Sequence, residues 1–274
     1  TDFALWKFSP KDEKRQMEWA FFGRKGFPGW HIECSVMATK YLGEQFDIHC
    51  GGIDHIQVHH TNEIAQTEAV TKKRWVNFWM HGAFLVLEKE KMSKSLGNFI
   101  TLDSIEKQKF NPLDYKYLCL NTHYRKPLVF SEEALKSARN SLERLKNILL
   151  ELKNKKDSKG NAENYKKKFL EAVNDDLNVP KSLGLLWDIL RDNKLGSKEK
   201  YHLILDFDNV LGLNLRNIKQ DLIPKEIIKL AEEREKFRKE KNFKKSDELR
   251  NLIRNKGYEI EDTEEGYKIK ISNL

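Results

Sequence analysis

From Ser131 onward, Leu135, Ala138, Leu142, Leu145, Leu149 and Leu152 recur at alternating spacings of three and four. That period predicts one long amphipathic helix, with Ser131 as its cap and Glu132 and Glu133 favourably charged in its first turn. A polar linker, Asn154 to Gly160, ends it. Asn178 before Pro180 then opens another helix, whose Leu183, Leu186, Trp187 and Leu190 share a face, so residues 131–222 read as an α-helical bundle. Upstream, residues 1 to about 74 mix short apolar segments with Gly and Pro, which suits an α/β domain. Phe46 to Cys50 reads as a short buried strand that leaves through Gly51-Gly52, and His59 to Val70 as a helix. Trp75 to Met80 and Phe84 to Leu87 read as further strands, and the polar stretch Glu88 to Asn98 as a loop. At the other end, residues 225–256 read as two charged helices closed by Gly257. Tyr258 and Ile260, then Tyr267, Ile269 and Ile271 around a Glu-Glu-Gly turn, predict a small hairpin.

Length and composition narrow the class. A chain of 274 residues is long enough for two or three domains, and no apolar run approaches the roughly 20 residues that cross a bilayer, so no membrane partner is expected. No signal peptide is visible. Three widely spaced cysteines, Cys34, Cys50 and Cys119, do not make a disulfide framework, and a reducing compartment, the cytoplasm, is expected. The net charge of +8 favours a polyanionic partner or simply a lysine-rich proteome. It is locally concentrated: residues 225–256 hold 12 Lys or Arg against 7 Asp or Glu.

Two groups of residues could carry chemistry. His59 and Glu63 are four apart and share a helix face, and Cys34 can join them only through the fold; thiol, imidazole and carboxylate together suit zinc. On spacing alone a His four before a Glu is more often a solvated pair, a lone Cys more often a core residue, and His60, three from Glu63, competes with His59. The second group is Lys91-Met92-Ser93-Lys94-Ser95, two lysines three apart with small hydroxyl residues between. Such a loop can wrap ATP phosphates and oppose charge on a departing pyrophosphate, although an ordinary basic surface loop reads the same way.

The same residues carry a resemblance. Lys91 to Ser95 followed by Leu96-Gly97-Asn98 resembles the second signature of class I aminoacyl-tRNA synthetases. Gly29-Trp30-His31-Ile32-Glu33-Cys34-Ser35, Phe46-Asp47-Ile48-His49 with Gly51-Gly52 and Asp54, and His59-His60 with Asn62 to Gln66 are similar to the cysteinyl-tRNA synthetase family. So are Asp2 to Lys7, Asn174 to Pro180 and Lys245 to Arg250. The resemblance implies zinc ligands at Cys34, His59 and Glu63, choosing His59 over His60. It implies ATP contacts along Lys91, Met92, Ser93, Lys94 and Ser95, with Lys94 catalytic and Lys91 in support. Trp30, His49 and Asp54 would line the amino-acid pocket or reach the adenylate. The sequence departs from the family pattern at Cys50, Val58 and Thr61, where a Gly, a Pro and a Glu are usual, and Cys50 puts a thiol near the pocket. The family's first signature, His-x-Gly-His, and an upstream Cys that completes the zinc set are not found in these residues.

The fold expected from the resemblance is α/β and α: the C-terminal half of a Rossmann-like catalytic domain (1–95), a connecting segment (96–130), a tRNA-binding helical bundle (131–222) and a small α+β anticodon-binding end (223–274). The expected activity is that of a cysteine-tRNA ligase, a monomer that uses ATP with magnesium to activate cysteine and transfers it to tRNA(Cys), zinc selecting the substrate thiolate. This chain alone is expected to be inactive for want of the first signature. A ligase joining cysteine to an amino sugar is the nearest alternative, and the match beyond residue 225 weighs against it. A non-catalytic RNA-binding fragment is the other.

Overall fold

The computed structural model describes residues 3–12, 15–87, 100–218, 224–263 and 266–271. The three short strands β1 (Trp6–Phe8), β2 (Trp19–Phe21) and β3 (Arg24–Pro28) form an antiparallel sheet in the order β1-β3-β2, pairing Trp6 with Pro28 and Trp19 with Gly26. Next come α1 (Ile32–Leu42) and β4 (Phe46–Gly52), a short turn at Ile53–His55, α2 (His59–Thr71) and β5 (Val76–Gly82). β4 and β5 run parallel, Ile48 opposite Phe78 and His49 opposite Trp79, with α2 as their crossover. Trp75, fully buried, anchors the start of β5 edge-on to Phe46.

β4 differs from its expected burial. Phe46, His49, Gly51 and Gly52 are sheltered, whereas Asp47, Ile48 and Cys50 are exposed, Ile48 to 54%. Ile48 and Cys50, which alternate with His49, stand on the other face of a two-stranded sheet and are exposed there. Cys50 therefore points away from the face that carries His49.

Beyond β5, β6 (Leu85–Leu87) pairs in parallel with β7 (Leu128–Phe130), Leu85 opposite Leu128. Between them lie α3 (Leu102–Lys107), capped by Thr101, and α4 (Pro112–Leu120), capped by Asn111 with Pro at its start. The bundle follows as α5 (Glu132–Lys153), α6 (Glu163–Asn174), α7 (Val179–Arg191) and α8 (Ser197–Leu211). All six apolar positions of the α5 stripe are buried, and the Ser131 hydroxyl accepts from the Ala134 N–H as the cap. Leu186 and Ile189 of α7 and Ile204 of α8 are fully enclosed, and Phe169 stacks on Phe207. Gly212 takes the left-handed conformation that ends α8, and the Asp208 carboxylate accepts from the N–H groups of Leu213 and Leu215.

The chain divides into two units, residues 1–217 and 218–274. In the second, α9 (Lys225–Lys239) and α10 (Phe243–Asn255) are followed by the antiparallel pair β8 (Tyr258–Thr263) and β9 (Gly266–Ile271). Its core is Ile227, Ala231, Ile253 and Ile260, flanked by Leu230, Tyr258, Tyr267 and Ile269. Beside that core Arg234, only 3% exposed, donates through both terminal nitrogens to Asp262 at 2.7 and 3.1 Å, and Arg238 reaches the same carboxylate.

So small a unit depends heavily on that pair. Asp262→Ala leaves a buried guanidinium unpaired, and the expected result is a loss of about 3 kcal/mol in urea unfolding of this unit. Replacing both partners with apolar residues is expected to restore most of it. The bonds from Arg234, with Arg238 and the charges of both arginines, hold the Asp262 carboxyl below its usual range against the opposing effect of burial. The pair's contribution is thus present above a pH of about 4 and lost as pH falls through the folded value, the direction expected when the unfolded chain binds the proton first.

Candidate metal and nucleotide site

Glu63 is the centre of the site. It lies one turn along α2 from His59 and is fully buried, with Oε1 2.8 Å from His59 Nε2 and Oε2 3.2 Å from His49 Nε2. Neither oxygen receives a well-directed hydrogen bond despite those short distances. Burial would push its carboxyl up, but contact with the His49 imidazole and the charges of His59, His49 and His60 outweigh it and hold Glu63 below its usual range. A buried, ionised carboxylate with both oxygens unsatisfied is a place for a cation.

Cys34, His59 and Glu63 each present a donor atom within 4.8 Å of the others; so do His49, His60 and Glu63. Cys34 comes from α1, and burial, followed by the nearby Glu63 carboxylate, pushes its thiol up. A thiolate there would thus form only when a metal replaces the proton. Donor chemistry favours the first group for zinc, since it alone supplies sulfur, and these residues fit the ion.

Several partners of the site are not readable from spacing. His31, buried in a left-handed conformation just before α1, lies Nδ1 to Nδ1 2.7 Å from His59, which leaves His59 Nε2 facing Glu63. Ser35 donates to Gln66 Oε1 at 2.8 Å and joins α1 to α2. His60, which competes with His59 on spacing, is buried with Nδ1 2.8 Å from His81 Nε2. Burial first, then the His49 charge, bring the His60 pKa down to about 4, so the ring is neutral near pH 7. Its room comes from Gly51: a Cβ there would fall 2.4 Å from His60 Cε1 and 2.9 Å from His55 Nδ1. His55 also packs on His59, with ring centroids 4.9 Å apart.

Of the other expected pocket residues, Trp30 is 70% exposed and stacks on His31 with its ring 5.8 Å from that of His59. Asp54 stands exposed in the turn after β4, its Oδ1 2.4 Å from where a Cβ on Gly52 would be. His49 thus lies within β4 and Asp54 in the turn at its carboxyl end, where open α/β sheets bind ligands, while Trp30 meets the cluster through His31 and His59. Lys91, Met92, Ser93, Lys94 and Ser95 lie outside the described residues.

A family model described as the class I (C) tRNA synthetase catalytic domain matches residues 1–140. The chain belongs to this family. Relatives within it include cysteine-tRNA ligase 1 of Burkholderia lata, 45% identical over 272 residues that make up 98% of this chain and 57% of that protein. The cysteine-tRNA ligase of Treponema denticola is 40% identical over 293 residues, 95% of this chain and 60% of that protein. The chain thus spans less than two thirds of the length of these relatives. Among solved structures, a LeuRS of Agrobacterium radiobacter K84, in a ternary complex with tRNA and LeuAMS, matches 79% of this chain and 34% of its own with a TM-score of 0.50 at 15% identity. That likeness is one of fold alone, and it takes in a larger share of the chain than the family model does. Among the described residues, no helix is long and apolar enough to cross a membrane.

Proposed function

We propose that the chain supplies the zinc, lysine-loop and tRNA-binding portions of a cysteine-tRNA ligase, which activates cysteine with ATP and magnesium and transfers it to tRNA(Cys). The observation that carries the reading is the convergence of Cys34, His59 and Glu63 from two helices onto one buried, unsatisfied carboxylate beside the carboxyl end of β4. Zinc held there would take the substrate thiolate and reject serine, whose hydroxyl stays protonated and is a poor ligand. The chain's own residues do the rest. His31 orients His59, His49 lies against the other oxygen of Glu63, and Trp30 offers an apolar wall to the small substrate. Asp54 accepts a hydroxyl or ammonium hydrogen of the substrate, and Lys94, supported by Lys91, opposes charge growing on pyrophosphate.

In this reading residues 1–95 are catalytic, 96–130 connect, 131–222 bind tRNA and 223–274 reach the anticodon end. The protein works as a monomer in the cytoplasm, a reducing compartment that suits its three free cysteines. A cysteine:amino-sugar ligase would have no use for the basic α9–α10 segment.

Pyrophosphate exchange with cysteine and ATP tests the reading, run on this chain and on the chain joined upstream to the first-signature segment of a relative. Exchange is expected only in the joined chain, and no exchange in either would overturn the proposal. Removing residues 225–274 from the joined chain is expected to weaken tRNA charging while leaving exchange nearly intact. Equal loss of both would make that segment structural, and a tRNA affinity insensitive to salt would remove its electrostatic role.

A further inference from the structure

We infer that Asp176 is a positioning residue: from the α6–α7 turn it pins the strand that runs into the lysine signature. Asp176 and Leu177 are consecutive non-glycine residues in the left-handed region, at φ 51° and 53°. Such backbone is costly and persists only where its surroundings fix it. The bundle core does not ask for it, since both side chains are exposed, Leu177 to 47%. What the conformation yields is a grip on three successive residues of the turn before β7.

Asp176 Oδ1 accepts from the Tyr124 hydroxyl at 2.5 Å and from Arg125 Nη2 at 3.0 Å, while Oδ2 accepts from Arg125 Nε at 2.5 Å. His123 Nε2 lies 2.9 Å from the Asp176 carbonyl oxygen, to which its Nε2–H tautomer donates. An exposed single ion pair would be worth little, but here one carboxylate takes three bonds and the backbone a fourth. Arg125 first, then Tyr124, bring the Asp176 pKa down to about 2, so the grip stays charged across the neutral range.

The gripped turn holds the other partner. The Tyr124 carbonyl accepts from the Ala83 N–H at 2.7 Å, the Phe84 carbonyl accepts from the Leu128 N–H at 3.0 Å, and β6 then pairs with β7. Ala83 is two residues past His81, which contacts His60, and β6 ends at Leu87, four residues before Lys91. One bundle carboxylate therefore fixes residues 83–87, which follow the histidine cluster and precede the lysine signature in the sequence. Its use in catalysis rests on the proposed role of Lys91 to Ser95; the grip itself does not.

Amide exchange and NMR on this chain test it without ATP. Asp176→Asn is expected to speed exchange at Ala83 and across 85–87 by roughly tenfold or more, the loss due to a charge-assisted bond, and to shift the Ala83 amide resonance. The helices α5, α7 and α8 should keep their protection. Tyr124→Phe, which retains the Arg125 bonds and folds more safely, should give a smaller change at the same amides, and Asp176→Glu should restore part of the protection. Unchanged exchange at 83–87 in both Asp176→Asn and Tyr124→Phe, or equal acceleration throughout the bundle, would overturn the inference. If the grip is found but Asp176→Asn leaves exchange of pyrophosphate in the joined chain unaltered, the grip stands and its use in catalysis is overturned, the lysine signature being tested separately at Lys94.

Discussion

A chain carrying Glu63→Gln is expected to bind zinc at least about 100-fold more weakly than the unaltered chain, since removal of a ligand should exceed the 10–100-fold typical of outer-shell partners. The amide keeps the shape of the carboxylate and removes its charge, so a general collapse of α2 is not expected, and circular dichroism should stay unchanged. What disappears is the anion that faces both His59 and His49 at 2.8 and 3.2 Å. Two further substitutions decide between the donor groups that share Glu63. Cys34→Ala should lose zinc, whereas His60→Asn should keep it, because of the two donor groups only the one without His60 supplies sulfur. Elemental analysis and competition with a chromophoric chelator read both results. Full zinc in Cys34→Ala, with loss in His60→Asn, would move the metal to the all-histidine side of the carboxylate.

Lys94→Ala, in the chain joined to the first-signature segment, is expected to lower the turnover number for pyrophosphate exchange roughly 100-fold, the scale on which a transition state deprived of one preorganised electrostatic interaction is slowed. The Michaelis constant for ATP should move much less. An ammonium that meets pyrophosphate as it departs contributes more at the transition state than in the ground state, and only such a difference raises the chemical rate. Lys91→Ala should act in the same direction with a smaller effect. A strong rise in the Michaelis constant at unchanged turnover would instead make Lys94 a uniform ATP ligand.

Periodicity made the bundle legible. Every apolar position of the α5 stripe from Leu135 to Leu152 is buried, because a helix writes its own face into local spacing. The hairpin of Tyr258 to Ile271 was readable from its alternation around a turn, and the two helices before it from their charge and the Gly257 that closes them. Short strands gave less: β1 and β2 have three residues each, and β3 holds both Gly26 and Pro28, so no alternation is long enough to stand out. Burial of β4 was overestimated, since an apolar run does not say whether both faces of a sheet are covered.

The site was legible only in part. His59 and Glu63 announce each other by helical spacing, but nothing local brings Cys34 to them; the family resemblance did. His31 and His81 were missed because their partners lie 28 and 21 residues away, through a left-handed residue and a parallel crossover that leave no periodic trace. The cluster of histidines was nevertheless a signal: six of the eight in the chain fall between residues 31 and 81. That concentration on one α/β segment points also to His31, His55 and His81, which spacing does not single out.

Gly51 and His60 occupy what is in effect a single volume, because the ring fills the space that a side chain at position 51 would need. Their evolutionary histories should accordingly be tied. A descendant that acquires alanine at 51 cannot keep the imidazole where it is, and one that shrinks residue 60 removes the nearer obstacle and leaves the His55 ring as the other. Drift at 51 is closed off while the ring stands, so a change at 60 is expected to come first.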